Sequence, residues 1–226
     1  MKPPIILDAT ATPDGGSLEL HEQDGNFGIS LDGQELMHSN SVASELLLGS
    51  VGVAHLNPET VNQVLIGGLG LGFTLRSVLD SVGPETSVDI VELIPAVIDW
   101  NRSHLTQLNG ALLDDPRVTV RVRDVYREIC EAKPQSYDAI LLDVDNGPFA
   151  MVAADNASLY SDVGIQLICR ALKPGGRTVL WSAGRDPRFE DRLNKADLKF
   201  DAIPAKAHKS AERSAYLLYV MELPSS

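Results

Sequence analysis

The chain has 226 residues, 44% of them hydrophobic and 22% charged, which suits one α/β domain with a full apolar core plus a small appendage and excludes a disordered polymer. Against 31 Asp and Glu stand only 19 Lys and Arg, a net charge of −12, so no nucleic-acid partner is expected, because phosphate backbones need a basic face. No apolar run approaches the roughly 18 residues that span a bilayer, and the start at Met1–Asp8 is too short in apolar residues for a signal peptide, so no membrane is expected and the protein reads as cytoplasmic.

Alternating apolar residues in Ser17–His21 and Phe27–Leu31, separated by Glu22-Gln23-Asp24-Gly25-Asn26, predict a β-hairpin, and Asp32-Gly33 a second turn. A helical stretch begins at Ser44 and ends near Leu56-Asn57-Pro58. Residues 1–56 therefore read as a small β-appendage with a linker helix, and residues 57–226 as the main domain. Within the latter, strands at Val64–Ile66, Val88–Val91, Val118–Val122, Tyr137–Asp143 and Thr178–Trp181 alternate with helices. One helix runs over Phe73–Leu79, and another carries Ile94, Val97, Ile98 and Leu105 at helical spacing. A third covers Ser161–Leu172 and stops at Lys173-Pro174-Gly175-Gly176, and a further one opens at Pro187. The last strands, Phe200–Ile203 and Tyr216–Met221, have no helix between them and predict an antiparallel edge hairpin. The fold class is α/β: a Rossmann-like, mainly parallel sheet covered on both faces.

Gly67-Gly68-Leu69-Gly70-Leu71-Gly72 follows the first strand of that domain and precedes a helix. Glycines at Gly67, Gly68, Gly70 and Gly72 let backbone turn tightly and approach a ligand that a Cβ would exclude. Glu92 ends the second strand about twenty residues on, where a carboxylate can accept hydrogen bonds from ribose hydroxyls. Asp124, past the third strand, could meet an adenine amino group. Nucleoside binding accounts for the three together; the alternative is tight turns with capping acids. Asp143, in Asp143-Val144-Asp145-Asn146-Gly147-Pro148, ends the fourth strand beside the point where strand order reverses, where ligands of open α/β sheets bind. Asp143, with Asp145 after it, could orient an amine or take its proton while the amine attacks a carbon bonded to sulfonium; the alternative is that both support local turns. Tyr160 could close over an acceptor or fill the core. Cys130 and Cys169 have no metal or redox spacing and the five histidines are scattered, so no metal site is expected.

These stretches, with Val91–Ile98, Asp115-Pro116-Arg117-Val118, Leu159-Tyr160-Ser161 and Leu31-Asp32-Gly33, resemble the spermidine synthase-like branch of the class I S-adenosylmethionine-dependent methyltransferase superfamily. The resemblance implies that Glu92 with Leu93 binds the ribose and Asp124 with Val125 the adenine. It makes Asp143 and Asp145 the catalytic acids and places Glu45, Asp145 and Tyr160 on the acceptor side. The cofactor implied is S-adenosylmethionine or its decarboxylated form, the partner a small acceptor, an amine by the acidic surface. Related proteins often pair as homodimers.

The chain departs from the family at four places, one of them a loop after Asp143 that is shorter than in aminopropyltransferases. Leu71 stands where aminopropyltransferases carry the Asp that holds the aminopropyl amine, and a buried ammonium without a carboxylate is costly. The segment His38–Glu45 keeps only Glu45 of an acidic, tyrosine-containing stretch. Ile66 fills the place of the acid that methyltransferases often carry before the loop. Leu71 would present an apolar wall to the donor's tail, so methyl transfer is the leading expectation. Aminopropyl transfer is the alternative, and a non-catalytic nucleoside-binding protein a further one.

Overall fold

The structure, a computed structural model, describes residues 3–144 and 158–225. Strands β1 (Ile5–Ala11), β2 (Ser17–Gln23), β3 (Asn26–Leu31) and β4 (Gln34–His38) form an antiparallel sheet in that order, and helix α1 (Ala43–Val53) follows. The expected hairpin is β2–β3, with Leu18 opposite Leu31 and Leu20 opposite Ile29. Strands β1 and β4 extend it beyond the sequence reading. Their pairing registers each slip once, at Ile6/Asp8 and at Ile29/Ser30, which breaks the two-residue period by which a strand is recognised.

The second sheet contains β5 (Gln63–Gly67), β6 (Ser87–Glu92), β7 (Val118–Val122), β8 (Tyr137–Leu142), β9 (Leu172–Ser182), β10 (Phe200–Ala205) and β11 (Tyr216–Glu222). Their order is β10-β11-β9-β8-β5-β6-β7. Strands β5 to β9 pair in parallel, and β11 and β10 close one edge as the expected antiparallel hairpin. Chain order reverses between β5 and β8, so a crevice opens there at the carboxyl ends. The Pro174-Gly175-Gly176 stretch does more than stop a helix. Tyr137 pairs with Leu172 and Ala139 already with Arg177, so these residues bulge out of β9 as its pairing resumes.

Successive strand residues point to opposite faces and build two apolar clusters. On one face Val64, Ile66, Leu141, Val179 and Leu218 meet α1, α2 (Phe73–Ser81) and α3 (Pro95–Arg102), with Leu18, Leu20, Phe27 and Ile29 of the first sheet in the same cluster. On the other, Leu65, Ile140, Leu142 and Leu180 meet α5 (Val125–Glu131), α6 (Asp162–Ala171) and α7 (Pro187–Lys195). One short turn of helix, α4 (Thr106–Asn109), lies between α3 and β7. Among the described residues no helix is long and apolar enough to cross a membrane.

Candidate active site

A cleft at the carboxyl ends of β5, β6, β7 and β8 encloses about 650 Å³ of empty space counted out to its mouth, within the usual size of small-molecule sites. Gly68, Gly70, Glu92, Leu93, Asp124, Val125 and Asp143 all line it. These are seven residues singled out from the sequence. Its other wall was not legible there: Leu18 and Ile29 of the first sheet and Leu36 and Met37 of β4 close the cleft opposite the strand ends. Their only sequence signal is the inward alternation of β2 and β3.

The loop after β5 passes directly over the end of β8. Gly68 has φ +87°, and a Cβ there would stand 2.2 Å from the Asp143 carbonyl oxygen, so only glycine fits. Gly67 ends β5 in the core, Gly70 lies against the Met37 sulfur, and Gly72 starts α2 in a left-handed conformation. The loop is tied from behind by two amides. Asn101 Nδ2 donates to the Gly70 carbonyl at 2.8 Å and Asn109 Nδ2 to the Leu71 carbonyl at 2.6 Å. Leu71 itself does not wall the cleft. Its side chain is buried in the first apolar cluster.

Glu92 is buried at the end of β6, and its two oxygens accept backbone N–H groups at 2.9 Å each, from Leu69 in the glycine loop and from Ile94 at the start of α3. The carboxylate thus fixes the loop where it lines the cleft. Asp124 realises the capping alternative: as the N-cap of α5 it accepts from the Arg127 N–H at 2.8 Å, while it also lines the cleft. Helix α5 is only seven residues long and went unread in the sequence.

Asp143 follows β8, its N–H donating to the Gly67 carbonyl at 2.8 Å. Its Oδ2 accepts a 2.6 Å hydrogen bond from the Thr74 hydroxyl on α2, a partner 69 residues away that no sequence pattern announces. Burial pushes the Asp143 carboxyl up to about 6, against the opposing effect of that hydrogen bond. Glu45, in the first turn of α1, stands near enough to feel it. Burial, then the Asp143 charge, lift Glu45 to about 7, although its Oε2 accepts from Ser44 Oγ at 2.5 Å. Next to Glu45 is Tyr216, whose phenol is raised by burial and by the charges of Glu45 and Glu35, and whose ring packs on Trp181 with centroids 4.8 Å apart. Among the described residues, neither Glu45 nor Asp143 has a cationic side chain as ion-pair partner.

Asp145 lies outside the described residues. Tyr160 is not brought to the cleft: it sits in the second cluster, edge-on to Phe189 at 5.3 Å, and its carbonyl accepts from Arg192 at 2.9 Å.

A parallel sheet reversing at β5/β8, a glycine loop at the reversal and acids at three successive strand ends define a class I S-adenosylmethionine-dependent methyltransferase-like fold. Residues 40–196 match the spermine/spermidine synthase domain, and the chain belongs to that family. Among curated proteins it is 34% identical over 154 residues to polyamine aminopropyltransferase 2 of Pseudomonas aeruginosa, covering 66% of this chain and 41% of that protein. It is 36% identical over 122 residues to putrescine N-methyltransferase 2 of Nicotiana attenuata, covering 53% of this chain and 30% of that protein. The chain thus spans about two fifths or less of the length of these relatives. Among solved structures, spermidine synthase from Thermotoga maritima superposes with a TM-score of 0.71 at 19% identity, covering 98% of this chain and 74% of that one. A spermidine synthase in complex with the transition-state analogue AdoDATO superposes with a TM-score of 0.73 at 21% identity, covering 98% of this chain and 74% of that one.

Proposed function

We propose that this chain transfers the aminopropyl group of decarboxylated S-adenosylmethionine to a small amine, as a polyamine aminopropyltransferase. The observation that carries the reading is the Glu45–Asp143 pair, two raised carboxyls with no cationic partner among the described residues, next to a cleft of nucleoside size. Such a pair suits a ligand that brings its own positive charge. The family and the relatives named aminopropyltransferases support the same reading.

The adenosine half of the donor fits the cleft: Glu92 faces the ribose, Asp124 the adenine with the oxygen its cap does not use, and Val91, Leu93 and Val125 the ring faces. When bound, the donor supplies an electrophilic carbon attached to a positively charged sulfur. Asp143 holds the acceptor nitrogen in line and accepts a proton from it as the new bond forms, and Glu45 keeps a second positive centre of the acceptor desolvated but paired. Trp181 and Tyr216 offer aromatic faces beside that charge. Asp145, after Asp143, remains the proposed second acid.

Methyl transfer is the second reading, and one feature favours it: the glycine loop carries no acid at Leu71 to hold a donor's amine. A relative named putrescine N-methyltransferase supports that second reading. The deciding experiment offers putrescine with either S-adenosylmethionine or its decarboxylated form and identifies the product by mass. An aminopropylated product upholds the first reading and a methylated one the second. If neither forms while methylthioadenosine still stabilises the fold, the protein binds the nucleoside without turnover.

A further inference from the structure

The Thr74 hydroxyl, on the first turn of α2, has two acceptors in reach: Asp143 Oδ2 at 2.6 Å and the Glu45 carbonyl at 3.4 Å. It has one proton to give, and the shorter contact to the acid takes it. Thr74 is 2% exposed, so no solvent exchange competes for that donor. Asp143 comes just after the last residue of β8, and only its backbone is held by the sheet, through the Gly67 carbonyl. Among the described residues Thr74 is the one group that donates to its side chain, so Thr74 is what sets its χ1 there.

We propose that Thr74 is the positioning residue for Asp143, tying Oδ2 to helix α2 and leaving Oδ1 to serve the acceptor nitrogen. This rests on Asp143 being the acid of the proposed transfer. The consequence is a rigid link between the two halves of the site. Helix α2 starts at Gly72, the end of the loop that receives the donor, and Thr74 is its second residue. The donor's loop and the acid that serves the acceptor therefore hang on the same first turn, and their separation is fixed by one helix rather than by two independent loops. The same hydrogen bond favours the ionised carboxylate, countering its burial. Among the described residues the other ionisable groups facing Asp143 are Glu45 on α1 and, behind it, Tyr216 on β11, while α2 offers the uncharged Thr74 and the described glycine loop no charge.

The test compares wild type with Thr74→Val, which keeps the shape and removes the donor, and Thr74→Ser, which restores it. The Asp143 carboxyl is followed by 13C NMR in the ligand-free protein, with its signal assigned by loss in Asp143→Asn. A hydrogen bond to a charged group corresponds to an upward shift of the titration midpoint by about one pH unit in Thr74→Val, with return to the wild-type midpoint in Thr74→Ser. In turnover, kcat falls about tenfold in Thr74→Val with the donor KM unchanged, and the acidic limb of the pH profile moves up with the NMR midpoint. Thr74→Ala replaces Thr74→Val if the latter does not fold. An unchanged midpoint, or Thr74→Ser behaving like Thr74→Val, overturns the inference. The NMR arm needs no turnover: if wild type joins nothing to an amine, the functional reading fails while the midpoints still decide what holds Asp143.

Discussion

Replacing Glu92 with Gln asks whether that carboxylate serves only a ligand or also the fold. In the folded chain its oxygens accept the Leu69 and Ile94 N–H groups, both at 2.9 Å and both buried. Gln keeps one acceptor and turns an NH2 toward the other N–H, so one bond becomes a donor–donor contact and the second loses its charge. A hydrogen bond to a charged group contributes about 1.5–3 kcal/mol, and an orphaned buried N–H costs about 1–3 kcal/mol. Relief of burying a negative charge works in the other direction, so a net loss of about 3 kcal/mol is expected. For a chain of this size that corresponds to a fall in melting temperature of roughly 6–12 °C. The assay is thermal unfolding by circular dichroism without ligand, which removes any ribose contact from the comparison. A ligand-free Glu92→Gln protein that melts with the wild type would refute the clamp, and Glu92 would then act on the ligand alone.

Three further outcomes are expected. Glu45 and Asp143 titrate at about 7 and about 6 in the folded protein, above their values in an unfolded chain, so the fold binds extra protons between about pH 4 and 7 and their contribution to stability is lost as pH rises through that window. Glu45→Gln should therefore melt higher than wild type at pH 8, with the gap closing by pH 5; a gap that does not depend on pH would show that burial is not what lifts Glu45. Gly68→Ala should lower the melting temperature well beyond Gly15→Ala, because both glycines have φ near +88° (+87° and +88°) but only Gly68 faces a backbone oxygen, at 2.2 Å, where Gly15 faces open space. Equal losses would mean that the loop moves aside at little cost. Asp143→Asn should leave methylthioadenosine affinity near wild type, measured by calorimetry, and cut turnover by about two orders of magnitude; intact turnover would make Asp143 structural.

The sequence was most readable where structure is local. Apolar runs such as Val64–Ile66 and Tyr137–Leu142 are strands because both faces of a parallel sheet are buried, and Gly68–Gly72 is a loop because three of its residues take positive φ. Acids at or just past the ends of apolar strands fall at the crevice by topology alone, which is why Glu92, Asp124 and Asp143 all line the cleft. Legibility ends where a contact joins distant segments. Leu71 was expected to wall the donor's tail, but it is buried in the first apolar cluster instead. Glu92 reads as a ligand acid from its place, yet it also accepts from the backbone of Leu69, 23 residues earlier, and of Ile94. Strand β4 escaped notice because Leu36 and Met37 are adjacent apolar residues rather than alternating ones, and both reach the cleft.

The first sheet belongs to the ligand's enclosure as much as to the chain's beginning. Leu18, Ile29, Leu36 and Met37 stand across the cleft from Gly68, Glu92 and Val125, and their apolar partners share one cluster with α1 to α3. Grafting a relative's residues 1–38 onto this domain would thus exchange that apolar wall of the cleft, while Asp143, Thr74 and Glu45 stayed in place. The apolar wall of the cleft and the Asp143–Thr74–Glu45 cluster sit on separate stretches of chain, so the wall could vary without displacing the acids.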